Sequence, residues 1–472
     1  MNDVRSDVTV DKKPVDSESP AEVTWMQSVR RLMANKNFRV FIITNWIMAS
    51  LNIVWTFLGL YLRDLGISYV LLGTLFSSMT IVTLLGTLVA SYLADNYNRR
   101  NLAIATMVFN GFGFLILSFA DRFEIVAIGL LTMAASNFTG QGGTAYIFQV
   151  TDRKYGGVAV SLFTLGVLFG LGPLYAMGIM FNMGWDFILI MRTVFFIGAV
   201  AYLATIIIRI IWLESTPIPE RERDKSIIKD FISESKRGLK LLFRIFPVFV
   251  TVIMIDALSD SMYNFSNLFY VNETLEFNIG QIFLMILITL AISVPLTLLL
   301  GRSFDKRGGK RITLVVYSVM PLALSLLLVA QYVKFIAPEE WIFALDSFYP
   351  GLGVILSLAF IATAMKTTND NLWGTTINAY IQKSLPRADL GKTLGFSTLL
   401  VLVIGTVAPI FSGLIYTYYQ GVPLILGAIV LNFIILVILA TKNIEPRVSV
   451  EELEVELSPQ NKQHQMNDQN NH

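Results

Sequence analysis

The sequence predicts an all-α membrane protein with twelve transmembrane helices in two pseudo-symmetric six-helix bundles. Three observations carry that expectation. Of 472 residues, 54% are hydrophobic and only 15% charged, with a mean hydropathy of +0.62. A soluble chain carries about 25% charged residues, so lipid is the expected solvent. The apolar residues gather in stretches close to the roughly 20 residues that cross a bilayer. One charged phrase also occurs twice, as Ser91-Tyr92-Leu93-Ala94-Asp95-Asn96-Tyr97-Asn98-Arg99-Arg100 and as Gly301-Arg302-Ser303-Phe304-Asp305-Lys306-Arg307-Gly308-Gly309-Lys310-Arg311. Each copy closes an apolar stretch, with an Asp four residues after a small residue and a basic pair beyond it.

The stretches fall at roughly 38–62, 69–93, 101–120, 126–149, 158–182 and 187–211, and then near 246–271, 279–300, 311–333, 352–382, 391–418 and 421–441. We number them spans 1 to 12. The expected organisation is a polar tail over 1–35, a first bundle over 36–212, a linker over 213–245, a second bundle over 246–442 and a polar tail over 443–472. The tails read as disordered, and no cleavable signal precedes span 1. Basic residues gather in alternate loops: Arg99-Arg100, Arg153-Lys154, the linker, Arg302 to Arg311, and Arg387 with Lys392. The intervening loops are acidic or mixed, with Asp121, Arg122 and Glu124, then Asp186, then Glu273 and Glu276, then Glu339, Glu340 and Asp346. The positive-inside rule then places both termini and the linker in the cytoplasm.

Register supports duplication. Phe38-Arg39-Val40-Phe41 aligns with Phe246-Pro247-Val248-Phe249, and Asp95 aligns with Asp305. Further on, Tyr146, Arg153 and Gly157 align with Tyr380, Arg387 and Gly391. The register jump before that last set falls on 334–357, where an inserted external loop would be tolerated.

Two six-span halves, a linker and this repeated hairpin resemble the major facilitator superfamily. The resemblance covers about residues 36–442. Its Gly-x-x-x-Asp-x-x-Gly-basic-basic hairpin is nearly complete in the second copy, with Gly301, Asp305, Gly308, Lys310 and Arg311. The first copy has Ser91 and Asn98 where the family has glycines; serine still permits close helix packing, and Asn tolerates positive φ. The resemblance implies a cytoplasmic latch in which Asp95 and Asp305 meet a helix N-terminus and basic residues, Arg99 and Arg100 among them. An anion at a helix N-terminus contributes about 0.3–1 kcal/mol, weak enough to be made and broken in a cycle. Arg153 and Arg387 are candidate partners. Simple topological charge is the alternative for these basic residues, and for Arg153 and Arg387 it weighs equally.

In that fold spans 1, 4, 7 and 10 line a central cavity, and embedded polarity gathers in the same four. Span 1 carries Asn52 and Trp55, and span 4 carries Asn137 and Gln141. Span 7 carries Asp256, Asp260, Tyr263 and Asn264, and span 10 carries Lys366, Asp370, Asn371 and Trp373. Spans 8 and 9 read as bland, and span 12 holds a single amide, Asn432. A charge at the bilayer centre costs about 3 kcal/mol or more, so such residues face a wet cavity or a partner. Asp256 and Asp260, four apart, share a helix face and repel, which makes them candidate proton carriers. Lys366 and Asp370 share the same spacing and could neutralise each other. The alternative for all four is a structural network holding spans 7 and 10 together. The aromatics Trp55, Tyr263 and Trp373 could stack on a solute or simply pack. Arg192, near Asp186, reads as an anchor on the external face.

Function follows as an expectation. The chain should move a small-molecule substrate through the cytoplasmic membrane by alternating access, coupled to protons. The favoured direction is efflux of an amphipathic compound, because the cavity is expected to mix aromatics with few fixed charges; symport of a sugar, organic acid or other metabolite is the alternative. Against the drug-antiporter pattern, Phe138 stands where an intramembrane Arg would precede Gln141-Gly142. A substrate sensor or a membrane-embedded enzyme is a remote alternative. No enzyme activity, cofactor or metal is expected: cysteine is absent, and the two histidines, His464 and His472, lie in the polar tail. A net charge of +2 gives no reason to expect nucleic acid, the bilayer is the expected surrounding partner, and a monomer is expected.

Overall fold

Several spans start where a short polar side chain precedes an apolar run. Asn35 accepts a hydrogen bond from the backbone N–H of Phe38, Ser68 from Leu71, Asn98 from Arg100, and Asp186 from Ile188 and Leu189. Each satisfies a donor that the first helical turn leaves without a partner. In the computed structural model, residues 25–151, 155–215, 243, 247–307, 310–384 and 387–442 are described. Side chains at 298–312, 378–396 and a few single positions, Asp95 among them, fall outside the description.

The described residues form twelve spans. Span 1 comprises Lys36–Leu51 and Val54–Asp64, span 2 is Tyr69–Asn96, and span 3 is Arg99–Ser118. Span 4 comprises Phe123–Ala135 and Asn137–Val150; span 5 runs through Gly156–Thr164, Leu165–Gly170 and Leu171–Asn182; span 6 is Phe187–Trp212. In the second half, span 7 is Pro247–Phe269 with a π-helical end Tyr270–Thr274, span 8 is Ile279–Arg307 and span 9 is Lys310–Val329. Span 10 is Leu358–Ser384, span 11 is Arg387–Tyr419 and span 12 is Val422–Thr441. Ten spans are long and apolar enough to cross a membrane on composition alone. Span 9 adds a shorter apolar helix, and span 10 has the length but carries the charged residues. It starts later than the sequence suggests, because 334–357 forms its own outer element with the helix Glu339–Phe348.

Helix neighbours repeat between the halves. In the first, span 3 packs on spans 6 and 4, span 2 on span 4, and span 1 on spans 5 and 6. In the second, span 9 packs on spans 12 and 10, span 8 on span 10, and span 7 on spans 11 and 12. The two lobes meet where span 2 packs on span 11 and span 5 on span 8. Gly73 and Gly413 permit the first crossing: a Cβ added at Gly73 would stand 2.2 Å from the Pro409 carbonyl oxygen, and one at Gly413 would stand 2.3 Å from that of Tyr69.

The apolar core shows which ends are joined. One buried cluster runs through both lobes at the end away from the linker, from Phe57 and Tyr61 to Phe269, Phe283 and Tyr416. At the linker end the lobes keep separate clusters, around Phe38, Phe41 and Tyr146 in one and Phe249, Tyr317 and Leu439 in the other. The described lobes therefore share a core at the far end and part toward the linker.

Asn98 behaves differently from the reading based on its glycine-like place. Its backbone is extended, with φ −60°, and its side chain caps span 3. It also donates to the Ser215 hydroxyl. Asn98→Ala is therefore expected to lower stability by about 1 kcal/mol, the usual loss for a missing cap. A drop in thermal unfolding temperature in detergent for Asn98→Ala, with Asn98→Asp keeping most of the wild-type stability, checks this.

Candidate functional site

Span 7 supplies two carboxylates with different surroundings. Asp256 is buried: Trp373 Nε1 donates to its Oδ2 at 2.8 Å, and the Tyr317 hydroxyl lies 2.7 Å from its Oδ1. That hydroxyl is also 2.5 Å from Asn432 Oδ1. The amide of Asn432 donates to Ser259 Oγ and to the Ala428 carbonyl, each at 2.9 Å. One helical turn further on, the Asp260 side chain is 35% exposed.

Lys366 reaches Asp260 from span 10. Its Nζ is 2.8 Å from Asp260 Oδ1 and 2.5 Å from Asp370 Oδ1. It also lies 5.0 Å from the centre of the Tyr263 ring, a favourable place for a cation. The ammonium is only 2% exposed while Asp370 is 37% exposed, so the carboxylates present their free edges and the lysine stands behind them. A buried cation of this kind is tolerable only with such partners.

A cavity of about 630 Å³ opens beside these groups. Asp256, Asp260, Ser261 and Asn264 line it from span 7, Ile377 from span 10, and Ser397, Thr398, Val401 and Gly405 from span 11. With Pro247 at the linker end of span 7 and Arg387 at that end of span 11, the cavity occupies the half of the protein where the lobes part.

Of the residues singled out in the sequence, the structure brings Asp256, Asp260, Tyr263, Lys366, Asp370 and Trp373 into one cluster, with Asn264 on the cavity wall. Asn371 is exposed on the same span. The first-lobe candidates stand apart. Trp55 is half-buried against the apolar core and lines a small apolar pocket with Leu58, Phe114 and Leu130. Asn137 ties span 4 to Thr83 of span 2 at 3.2 Å. Asn52 is exposed at the break in span 1, and Gln141 is exposed on span 4. Of the three aromatics, Tyr263 and Trp373 are buried and Trp55 is half-buried.

At the linker end, Arg99 donates to Gln149 Oε1 of span 4 at 3.0 Å, and Arg100 donates to the Ile210 carbonyl of span 6. Gly301 lies on the helical backbone of span 8. Arg153 and Gly308 lie outside the described residues, as do the side chains of Asp95, Asp305, Lys310, Arg311 and Arg387. Arg192 donates to the Ala120 carbonyl at 2.6 Å, consistent with an anchor.

Several polar groups escaped the sequence reading. Tyr317 of span 9, which reads as bland, and Asn432, the single amide of span 12, both belong to the Asp256 network. A lone amide in an apolar span demands a partner, and that signal was present. Arg209 resembles a topological charge near the end of span 6. It is instead fully buried, donating to Thr44 Oγ1 at 2.9 Å and the Ala103 carbonyl at 3.1 Å, with its guanidinium 4.3 Å from the Phe41 ring centre. Glu273, read as a loop charge, joins the lobes at the far end. Arg63 of span 1 donates to it, and the Tyr69 and Tyr416 hydroxyls donate at 2.5 and 3.0 Å. It sits in the widened π turn that ends span 7.

Two six-helix lobes joined at one end, with a charged cluster beside a mid-bundle cavity, define a membrane transporter rather than an enzyme. The sequence model of the Major Facilitator Superfamily matches residues 40–372, and the chain belongs to that family. Solved structures agree in fold. The nucleoside transporter NupG, as its D323A mutant, is 14% identical with a TM-score of 0.66, covering 85% of this chain and 99% of its own. A D-xylose-proton symporter is 13% identical with a TM-score of 0.57, covering 89% and 98%. The inward open xylose transporter XylE from E. coli is 14% identical with a TM-score of 0.60, covering 91% and 99%. No curated protein sequence matches the chain.

Proposed function

We propose that this protein is a proton-coupled symporter for a small polar solute rich in hydrogen-bond donors, acting as a monomer in the cytoplasmic membrane with both termini and the linker on the cytoplasmic side. The observation that carries the reading is the cavity wall: the accessible carboxylate edge of Asp260 beside Ser261, Asn264, Ser397 and Thr398. Its volume of about 630 Å³ lies within the range of small-molecule sites. Acceptors there favour hydroxylated solutes. The nucleoside transporter and the D-xylose-proton symporter of the same fold supply the first probes. Alternate loop charges support the orientation.

Efflux of an amphipathic compound is the second reading. One observation favours it: two carboxylates face one lysine, leaving a surplus negative charge for a cationic solute. It loses the support of the aromatics, which lie away from the cavity wall. Proteoliposomes loaded at neutral pH and diluted into acidic buffer separate the two. Accumulation of uridine or D-xylose that a protonophore collapses is the expected result. Gradient-driven movement of a lipophilic cation alone favours efflux, and no pH dependence for any moving solute sinks the coupling.

A further inference from the structure

The Asp256 cluster contains one hydroxyl proton too few for its contacts. Tyr317 Oη lies 2.7 Å from Asp256 Oδ1 and 2.5 Å from Asn432 Oδ1. A phenol has one O–H to donate, whereas a carboxylate and an amide oxygen only accept. The amide cannot turn over to help. Its nitrogen faces the Ala428 carbonyl at 2.9 Å, and the reversed amide would set two acceptor oxygens there with no hydrogen between them. Both short contacts are satisfied only if Asp256 brings a proton of its own, donating to Tyr317 while Tyr317 donates to Asn432.

The remaining surroundings agree. Trp373 donates to the other carboxyl oxygen, and the Lys366 ammonium is engaged by Asp260 and Asp370. The titratable groups facing Asp256 are Tyr317 from span 9, Lys366 and Asp370 from span 10 and Asp260 from its own span. From spans 11 and 12 the described neighbours are neutral: Ser397 and Thr398 along the cavity, and Asn432. A carboxyl buried among neutral donors, with the nearby lysine already engaged by two other carboxylates, is most economically a neutral acid. Asp256 nevertheless borders the cavity, so water can reach it.

We infer that Asp256, rather than Asp260, carries the coupling proton, and that Tyr317 and Asn432 register whether it is loaded. This rests on the proton-coupled reading above. In the loaded state the run of donors is Asp256 to Tyr317 to Asn432, tying spans 7, 9 and 12. On release the carboxyl O–H bond breaks, the proton forms a new O–H bond on cavity water, and the electron pair stays on Asp256. The Tyr317 hydroxyl then rotates to the carboxylate, and Asn432 Oδ1 loses its donor. One proton thereby loosens span 9 from span 12. Asp260, Lys366 and Asp370 remain a charged group on the solute side.

Infrared spectroscopy of the purified protein in liposomes tests this without a solute. The wild type is expected to show a protonated-carboxyl C=O band at neutral pH, retained in Asp260→Asn and lost in Asp256→Asn. Asn432→Leu frees the Tyr317 hydroxyl for the carboxyl and is expected to weaken the band, which still decides the matter if Asp256→Asn fails to fold. Absence of the band in wild type, its loss in Asp260→Asn but not in Asp256→Asn, or an unchanged band in Asn432→Leu overturns the assignment. With uridine and D-xylose as probes, Asp256→Asn is expected to lose the gradient-driven, protonophore-sensitive uptake. Wild-type flux without proton movement would instead retire the coupling, and the carrier role with it, whatever the band shows.

Discussion

Lys366→Met is expected to abolish solute flux and to lower the unfolding temperature by several degrees. The ammonium is 2% exposed and holds two carboxylates that otherwise repel across spans 7 and 10. Removing one partner of a buried ionic group costs about 3–5 kcal/mol where the other is left stranded. Here Asp260 and Asp370 are each more than a third exposed and can be rehydrated, so the loss should fall nearer about 2 kcal/mol. The triple variant Lys366→Met with Asp260→Asn and Asp370→Asn removes the repulsion and is expected to recover most of the stability. If the cluster serves transport, flux stays lost in the triple variant despite recovered folding. Recovery of both would reduce the group to a strut between spans 7 and 10.

The reading of the fold from sequence rested on signals that membranes make strong. Apolar length, alternating loop charge and the duplicated Asp95 and Asp305 hairpins left little freedom in the arrangement, because a lipid-exposed backbone must close its own hydrogen bonds. The site was half legible for a related reason. Lys366, Asp260 and Asp370 stand out because ionic groups are expensive in a bilayer. Tyr317 and Asn432 are cheap enough to pass as incidental, and their importance arises only when spans 9 and 12 bring them against Asp256. Asn52 and Trp55 align with Asp260 and Tyr263, yet the symmetry of the helices does not extend to the chemistry: the described charged cluster belongs to the second lobe. Glu273 and Arg63 were invisible as a pair because each reads as a loop charge until spans 1 and 7 meet.

Filling the glycine crossing between the lobes is expected to shift the conformational balance more than any change in the charged site. Gly413→Val, and separately Gly73→Ala, place carbon within 2.3 Å and 2.2 Å of a backbone carbonyl oxygen on the opposite lobe. No side-chain rotation relieves such a contact, so spans 2 and 11 must separate. Overpacking of this order costs about 1–3 kcal/mol. That penalty falls on the far-end-closed state alone, so the ratio of states should move by about tenfold for each 1.4 kcal/mol. The Arg63–Glu273 contact and the Tyr69 and Tyr416 hydrogen bonds to Glu273 span the same seam and would be pulled apart with it. Because the chain has no cysteine, spin labels can be set at Arg122→Cys and Tyr332→Cys, exposed far-end positions on the two lobes, without background. Electron–electron distance measurements should show a longer population gaining weight in both variants, with Glu273→Gln producing a smaller shift in the same direction. An unchanged distribution in Gly413→Val would mean that the crossing bends rather than opens, and that the seam between spans 2 and 11 is not where the lobes part.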